Sequence, residues 1–260
     1  MNETTALHTM NPLNRFSTRA TAYAKYRPSY PEEAIAIILE GYANPSQLVV
    51  ADIGAGTGIS SRLLAQNGIS TIAIEPNLKM IEAAIPHPLV EFRNGTAENT
   101  NLPDASVDLV TCFQAFHWFN PEPTLQEFQR ILKPSGRLAV VWNNRNQDDE
   151  FTQSYTQLVK IASNQHPAES RLVSISPLLA SELFLHVHCH TFDYRQGLNL
   201  EELIGRTQST SYIPQTGVAH QQLITGLTEL YNSKCNEKGL VYLIYRTSIY
   251  LAKAKPVAII

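Results

Sequence analysis

The residues with the clearest chemical potential lie where an apolar run breaks into glycines. Leu48 to Gly58 reads LVVADIGAGTG and ends in Gly54-Ala55-Gly56-Thr57-Gly58. Glycines at a strand-to-helix junction let the chain turn sharply and let a ligand touch the main chain. The helix start beyond them offers unpaired N–H groups. The spacing is G-x-G-x-G, whereas a dinucleotide loop needs glycine at position 59, which is Ile59 here. A pyrophosphate ligand is therefore disfavoured. Glu75 ends the next apolar run, 17 residues after Gly58. A carboxylate at that place accepts two hydrogen bonds from a ribose diol that carries no 2′-phosphate. Loop and carboxylate together predict a small nucleoside-containing ligand.

Such residues need a sheet to hold them. Gln47 to Ile53 is a continuous apolar run, as expected of a buried strand. Ile59 to Gln66 is predicted as a helix that stops at Gly68, and Ser70 to Glu75 as the second strand. Asn77 is placed to cap a helix reaching Ala84. Leu89–Arg93 and Val107–Phe113 are predicted as strands, followed by a helix from Pro121 to Leu132. Lys133-Pro134-Ser135-Gly136 is predicted to stop that helix, and Arg137 to Trp142 to form the fifth strand. Five strands alternating with helices imply an α/β, mostly parallel, doubly wound sheet. Farther on, helices are expected at Asp148–Gln165, Pro177–Leu183, Leu200–Thr207 and Val218–Asn232, and strands at Leu185–Tyr194 and Leu240–Ala252.

The chain divides into a tail and lid over residues 1–30, a binding core over 31–144, specificity insertions over 145–238 and a last strand over 239–260, all within one domain. Residues 1–15 are expected to form a loose tail. Pro31, Glu32 and Glu33 open the first core helix, with carboxylates near its positive end.

The 260 residues are 43% hydrophobic and 17% charged, with a net charge of −3. That balance argues against nucleic-acid partners, which favour a basic stripe. No apolar run approaches a membrane span, and the N-terminus lacks a signal-peptide pattern. Three scattered cysteines, Cys112, Cys189 and Cys235, fit neither a disulfide framework nor a zinc site. Cys112 and Cys189 read as buried reduced thiols, which predicts a cytoplasmic protein. His186, His188 and His190 alternate along one strand, but a solvated strand face is favoured over a metal site, and no metal is expected.

The loop, Asp52 and Glu75 resemble the first two motifs of class I S-adenosylmethionine-dependent methyltransferases. Asn94-Gly95-Thr96-Ala97-Glu98, Leu102-Pro103 and Asp108-Leu109-Val110 are similar to that family's third-strand loop and fourth strand. Leu132-Lys133-Pro134-Ser135-Gly136 resembles its LKPGG turn, with Ser135 in place of the first glycine. The match covers roughly residues 15–142. Tyr26-Arg27-Pro28-Ser29-Tyr30-Pro31, Phe116-His117-Trp118-Phe119 and Ser209 to Pro214 resemble the branch of small-molecule enzymes that includes trans-aconitate methyltransferase.

The resemblance implies a Rossmann-like seven-stranded sheet of order 3-2-1-4-5-7-6, with strand 7 antiparallel. It implies S-adenosyl-L-methionine as cofactor and a small-molecule methyl acceptor; transfer at oxygen, to a carboxylate or a hydroxyl, is the expected chemistry, with nitrogen and carbon acceptors left open. Expected cofactor contacts are Tyr26, Arg27, Asp52, Gly54, Ala55, Gly56, Thr57, Gly58, Glu75, Pro76, Asn77, Met80, Thr96, Ala97, Glu98, Gln114 and Ala115. Leu78 is a further candidate beside the adenine, since a helical thioether such as Met80 more often fills a core gap.

Expected substrate contacts are Tyr23, Tyr30, His117, Trp118, Trp142, Arg145 and Tyr212. Arg206 and His220 lie in the same specificity region. His117 is the catalytic candidate: imidazole titrates near neutrality and can take a hydroxyl proton, whereas a carboxylate acceptor needs no base. Otherwise His117 only orients its loop. Two other function classes stay open, an NAD-dependent oxidoreductase and a non-catalytic cofactor-binding protein. A monomer or homodimer is expected.

Overall fold

The strand that ends in the glycine loop is the middle of the sheet. In the computed structural model, which describes residues 7–9, 16–166 and 175–256, it is Val49–Ile53 (β1). All of β1 except Val49 is buried, as its unbroken apolar sequence requires. Ser70–Ile74 (β2) and Val107–Phe113 (β4) flank it in parallel. Val90–Arg93 (β3) lies outside β2, and Leu132–Arg145 (β5) lies outside β4. Val241–Ala254 (β7) runs antiparallel between β5 and Phe184–Leu198 (β6). The order is β3-β2-β1-β4-β5-β7-β6, as the resemblance implied.

Period-two alternation sends successive side chains of β1 to opposite faces. Val50 packs under helices Glu32–Leu39 and Ile59–Gln66, with Ile38, Leu64 and Leu109. Ala51 and Ile53 face helix Pro121–Ile131, through Phe128 and Ile131. A third apolar cluster joins helices Glu150–Ala162, Leu200–Gln208 and Gly217–Lys234 to Val241, Leu243 and Tyr245 of β7. It forms a cap beside the carboxyl ends of the parallel strands.

Several expectations need correction. The fifth strand starts at Leu132, not Arg137, because Lys133 to Gly136 is a bulge inside it rather than a stop before it. Val107 pairs with Leu132 while Leu109 pairs with Arg137, and Ser135 takes a left-handed φ of 64°. Pro31 stands just before helix Glu32–Leu39, as its N-cap. The tail is not loose at Leu7–Thr9, a short helical turn with Leu7 buried.

Cys189 is exposed rather than buried, because β6 is the sheet edge. The histidine row is broken there too. His186 has φ 55°, and Leu185 and His188 pair with Lys253 and Leu251, so one extra residue bulges between them. Among the described residues no group of three or more His, Cys, Asp or Glu is placed to hold a metal. Among the same residues no helix is long and apolar enough to cross a membrane.

Candidate functional site

The glycine loop leaves β1 with left-handed φ values of 68° at Gly54, 59° at Gly56 and 73° at Gly58. Space demands glycine as well as torsion. A Cβ on Gly54 would lie 2.7 Å from the Ala115 Cβ and 2.9 Å from the Phe119 ring. Glu75 follows β2 and bends back over this loop. Its Oε2 accepts the Gly56 N–H at 2.8 Å and its Oε1 accepts the Asn77 N–H at 2.9 Å. Burial raises its pKa, and those two backbone donors hold the shift down. A carboxylate has about four lone-pair directions, so roughly two remain for ligand hydroxyls.

Glu75 lines a cavity of ≈ 560 Å³, within the size range of small-molecule sites. Gly54, Gly56, Pro76, Asn77, Met80, Thr96, Ala97, Glu98, Gln114 and Ala115 line it too, as expected. Ala55 lines a smaller pocket of ≈ 40 Å³ alongside. The others sit elsewhere. Thr57 is fully buried, and Gly58 turns its α-carbon towards the Phe92 ring. Leu78 is 61% exposed on the outside of its helix, while Met80 points inward at the loop.

Asp52 does not reach the ligand space. Alternation places it on the face of β1 covered by helix Ile59–Gln66, with no exposure. Its Oδ2 accepts the Ser60 and Ser61 hydroxyls, both at 2.6 Å, and its Oδ1 accepts Thr111 Oγ1 at 2.9 Å. Burial raises its pKa, and these hydroxyls oppose the rise. Asp52 thus ties the start of the helix to β1 and β4.

A second cavity of ≈ 340 Å³ adjoins the first, sharing Phe16, Tyr23, Gln114 and Trp118 as a common wall. Gln114 sits there at φ 56°, an unusual torsion for a side-chain-bearing residue, with its amide donating to the Asn143 carbonyl at 2.9 Å. The second cavity holds Arg27, His117, Trp118, Arg145, Arg206 and Tyr212. Tyr30 borders only the small pocket, edge-on to Phe113.

Trp142 is not a substrate wall. It is fully buried on the opposite face from Val141, and its indole N–H donates to His117 Nδ1 at 3.2 Å. His117 is held neutral, its pKa lowered to about 3 by burial and by nearby Arg27. Burial and Arg206 in turn lower the pKa of Arg27.

The N-terminal lid is helix Ala20–Tyr26, clamped to the end of helix Leu200–Gln208. Arg19 donates to the carbonyls of Thr210 and Ile213, and Arg27 to that of Ser209. Guanidinium groups are well placed there, at the negative end of a helix. Tyr26 faces away from both cavities. Its hydroxyl bonds Glu201 at 2.8 Å and its ring covers Gly205. Tyr23, one turn earlier, faces inward and stacks under Arg27. His220 lies outside the cavities and meets Gln208.

Sequence reasoning missed Phe16, Phe119 and Lys160, all of which line a cavity. Phe119 follows His117-Trp118 and was within reach as part of that quoted motif. Lys160 projects from an ordinary amphipathic helix, and nothing in its neighbours distinguishes it.

Residues 51–140 match a family model described as a methyltransferase domain. An uncharacterized methyltransferase of Mycobacterium tuberculosis is 34% identical over 200 residues, 76% of each chain. A methyltransferase-like protein of Schizosaccharomyces pombe is 31% identical over 205 residues, 77% of this chain and 79% of that one. Among solved structures, a protein assigned as a type II methyltransferase from Anaeromyxobacter dehalogenans gives a TM-score of 0.64 at 22% identity. That match covers 88% of this chain and 97% of the other. Phosphoethanolamine N-methyltransferase 2 of Haemonchus contortus, solved with phosphomonomethylethanolamine and S-adenosylhomocysteine, gives 0.56 at 15% identity. It covers 95% of this chain and 59% of that one. The two structures share the fold.

Proposed function

The chain belongs to the methyltransferase family, and we propose that it transfers the methyl group of S-adenosylmethionine to an oxygen of a small molecule, a carboxylate or a hydroxyl. The observation that carries this reading is Glu75. It is a buried carboxylate, 8% exposed, lining a ≈ 560 Å³ cavity and accepting, among the described residues, two backbone N–H groups. The glycine cradle fits the same ligand: a side chain at Gly54 would collide with Ala115 and Phe119.

Glu75 would hold the ribose diol, and Ala97 and Glu98 would border the adenine. Gln114, Tyr23 and Trp118 stand at the wall between the chambers, where donor and acceptor would meet. When bound, the donor supplies an electrophilic methyl group on a sulfonium. The protein's own contribution is orientation and exclusion of water: the transfer needs the acceptor atom in line with the bond that breaks. Phe16, which stands edge-on to Tyr23 and Trp118, helps the lid to close that wall. We also place the protein in the cytoplasm, a reading supported by its free cysteines.

Calorimetry with S-adenosylhomocysteine tests the reading. Binding is expected, and no heat at millimolar ligand overturns it. NADH titrated under the same conditions, followed by fluorescence, is expected to show none. A labelled-methyl screen against carboxylic acids and phenols then separates an enzyme from a protein that only binds the cofactor.

A further inference from the structure

The second cavity carries a charge pattern that the methyltransferase reading leaves unused. Arg27, Arg145, Lys160 and Arg206 line it, and among the described residues no Asp or Glu does. The donor chamber differs, with Glu75 and Glu98 in its wall. Arg206 is 7% exposed, and the Nε groups of Arg27 and Arg206 are buried without a hydrogen-bond partner among the described residues. Among the described residues, Arg27 donates to the Ser209 carbonyl at 3.3 Å and lies over the Tyr23 ring, while Arg206 meets Thr210 Oγ1 at 3.2 Å and hydrogen-bonds Tyr245. Leaving buried guanidinium donors unmade is costly. Both face the same space and both also border the small pocket beneath it. An anion in that cavity would answer both guanidinium charges.

His117 completes the pattern. An indole N–H only donates, so His117 Nδ1 must accept, and the single proton of the neutral ring sits on Nε2. The ring therefore offers a donor and has no lone pair left to take a proton. A base at this place would need the opposite tautomer.

From these two observations we infer that the methyl acceptor is a carboxylate, bound by Arg27 and Arg206, with His117 as a neutral N–H donor to it and no proton acceptor in the reaction. This rests on the methyltransferase reading above and deepens it. A carboxylate lone pair forms the new C–O bond, the C–S bond breaks with its pair left on sulfur, and an anion plus a sulfonium become a neutral ester plus a neutral thioether. No proton is released, so none need be taken. A hydroxyl acceptor would shed a proton, and among the described residues lining this cavity there is no carboxylate and no free imidazole lone pair to receive it. An amine acceptor would enter as a cation among cations.

The test starts with binding to the protein already saturated with S-adenosylhomocysteine. Succinate and citrate are titrated, with succinamide as the neutral isostere. Both acids are expected to bind and succinamide to fail. Arg27→Gln and Arg206→Gln should each weaken the acids at least tenfold. Since Arg206 is buried, Arg206→Lys is measured beside it and should recover part of the loss. No binding of either acid, equal binding of succinamide, or indifference to both arginine variants overturns the inference. Failure of S-adenosylhomocysteine itself to bind removes the underlying reading instead.

A labelled-methyl screen of carboxylic acids and phenols reads the chemistry. Label released as volatile methanol in mild alkali, at a rate flat from pH 6 to 9, is the expected result, with the same flat profile at lower turnover in His117→Gln. Alkali-stable label, with a rate rising tenfold per pH unit and abolished in His117→Gln, overturns it.

Discussion

Glu75 and Gly56 stand 19 positions apart in sequence and are joined by one hydrogen bond of 2.8 Å, from the Gly56 N–H to Glu75 Oε2. That bond locks the carboxylate to the loop it serves. Glu75→Ala removes both the acceptor of two backbone donors and the group that would hold the ribose. Each such charge-assisted bond contributes about 1.5–3 kcal/mol. The dissociation constant for S-adenosylhomocysteine should therefore rise about 100-fold or more. His117→Ala should change it by less than about threefold, since His117 lines the other chamber. Calorimetry in the reverse order would reject this division of roles.

Asp52 looks equally functional in sequence and should behave differently. Asp52→Ala leaves three buried hydroxyls, on Ser60, Ser61 and Thr111, without their acceptor. The expected cost is about 3–5 kcal/mol of folding stability, read from urea unfolding. Cofactor affinity measured on the folded fraction should fall far less than in Glu75→Ala. Unchanged stability with lost affinity would show that Asp52 reaches the ligand after all.

His117 makes stability depend on pH with a definite sign. The folded state holds its pKa near about 3 against 6.5 in the free side chain, so below pH 6.5 the unfolded chain binds the extra proton. Its contribution is complete above pH 6.5 and is lost as pH falls towards 3. Going from pH 7 to pH 5 should remove about 2 kcal/mol. Urea titrations of the wild type and His117→Gln at both pH values isolate this part, because other titrating groups are common to the two. An equal pH dependence in both proteins would reject it.

Gly205 and Tyr26 test the lid. A Cβ at Gly205 would come within 2.4 Å of the Tyr26 ring. Gly205→Ala must therefore push helix Ala20–Tyr26 outward, at a cost of about 1–3 kcal/mol. Tyr23 and Arg27 flank Tyr26 in the chain, so affinity for S-adenosylhomocysteine and for the acceptor should fall together. Tyr26→Ala in the same chain should recover part of the stability loss, and additive losses in the double variant would break the link.

The alternating strands and the glycine loop were legible because both follow from local patterns, whereas the sheet order came only from the family resemblance. Continuous apolar runs make doubly covered strands, and glycine at Gly54 is demanded by torsion and by space at once. Glu75 was readable from its place at a strand end, and Met80 only half so, because a thioether in a core and one in a ligand wall look alike in sequence.

Tertiary structure decided the rest. Asp52 and Glu75 are both carboxylates near strand ends, yet Asp52 sits within β1 under a helix, while Glu75 lies just past the end of β2, where the chain bends it over the loop. Trp142 and Tyr26 went the same way, each on the far side of an element whose near side lines a cavity. The pairing of Arg27 with Arg206, and the tautomer that Trp142 imposes on His117, join residues 179 and 25 positions apart. Charge and hydrogen bonding between such groups depend on distance in space, and the order of residues along the chain does not encode that distance.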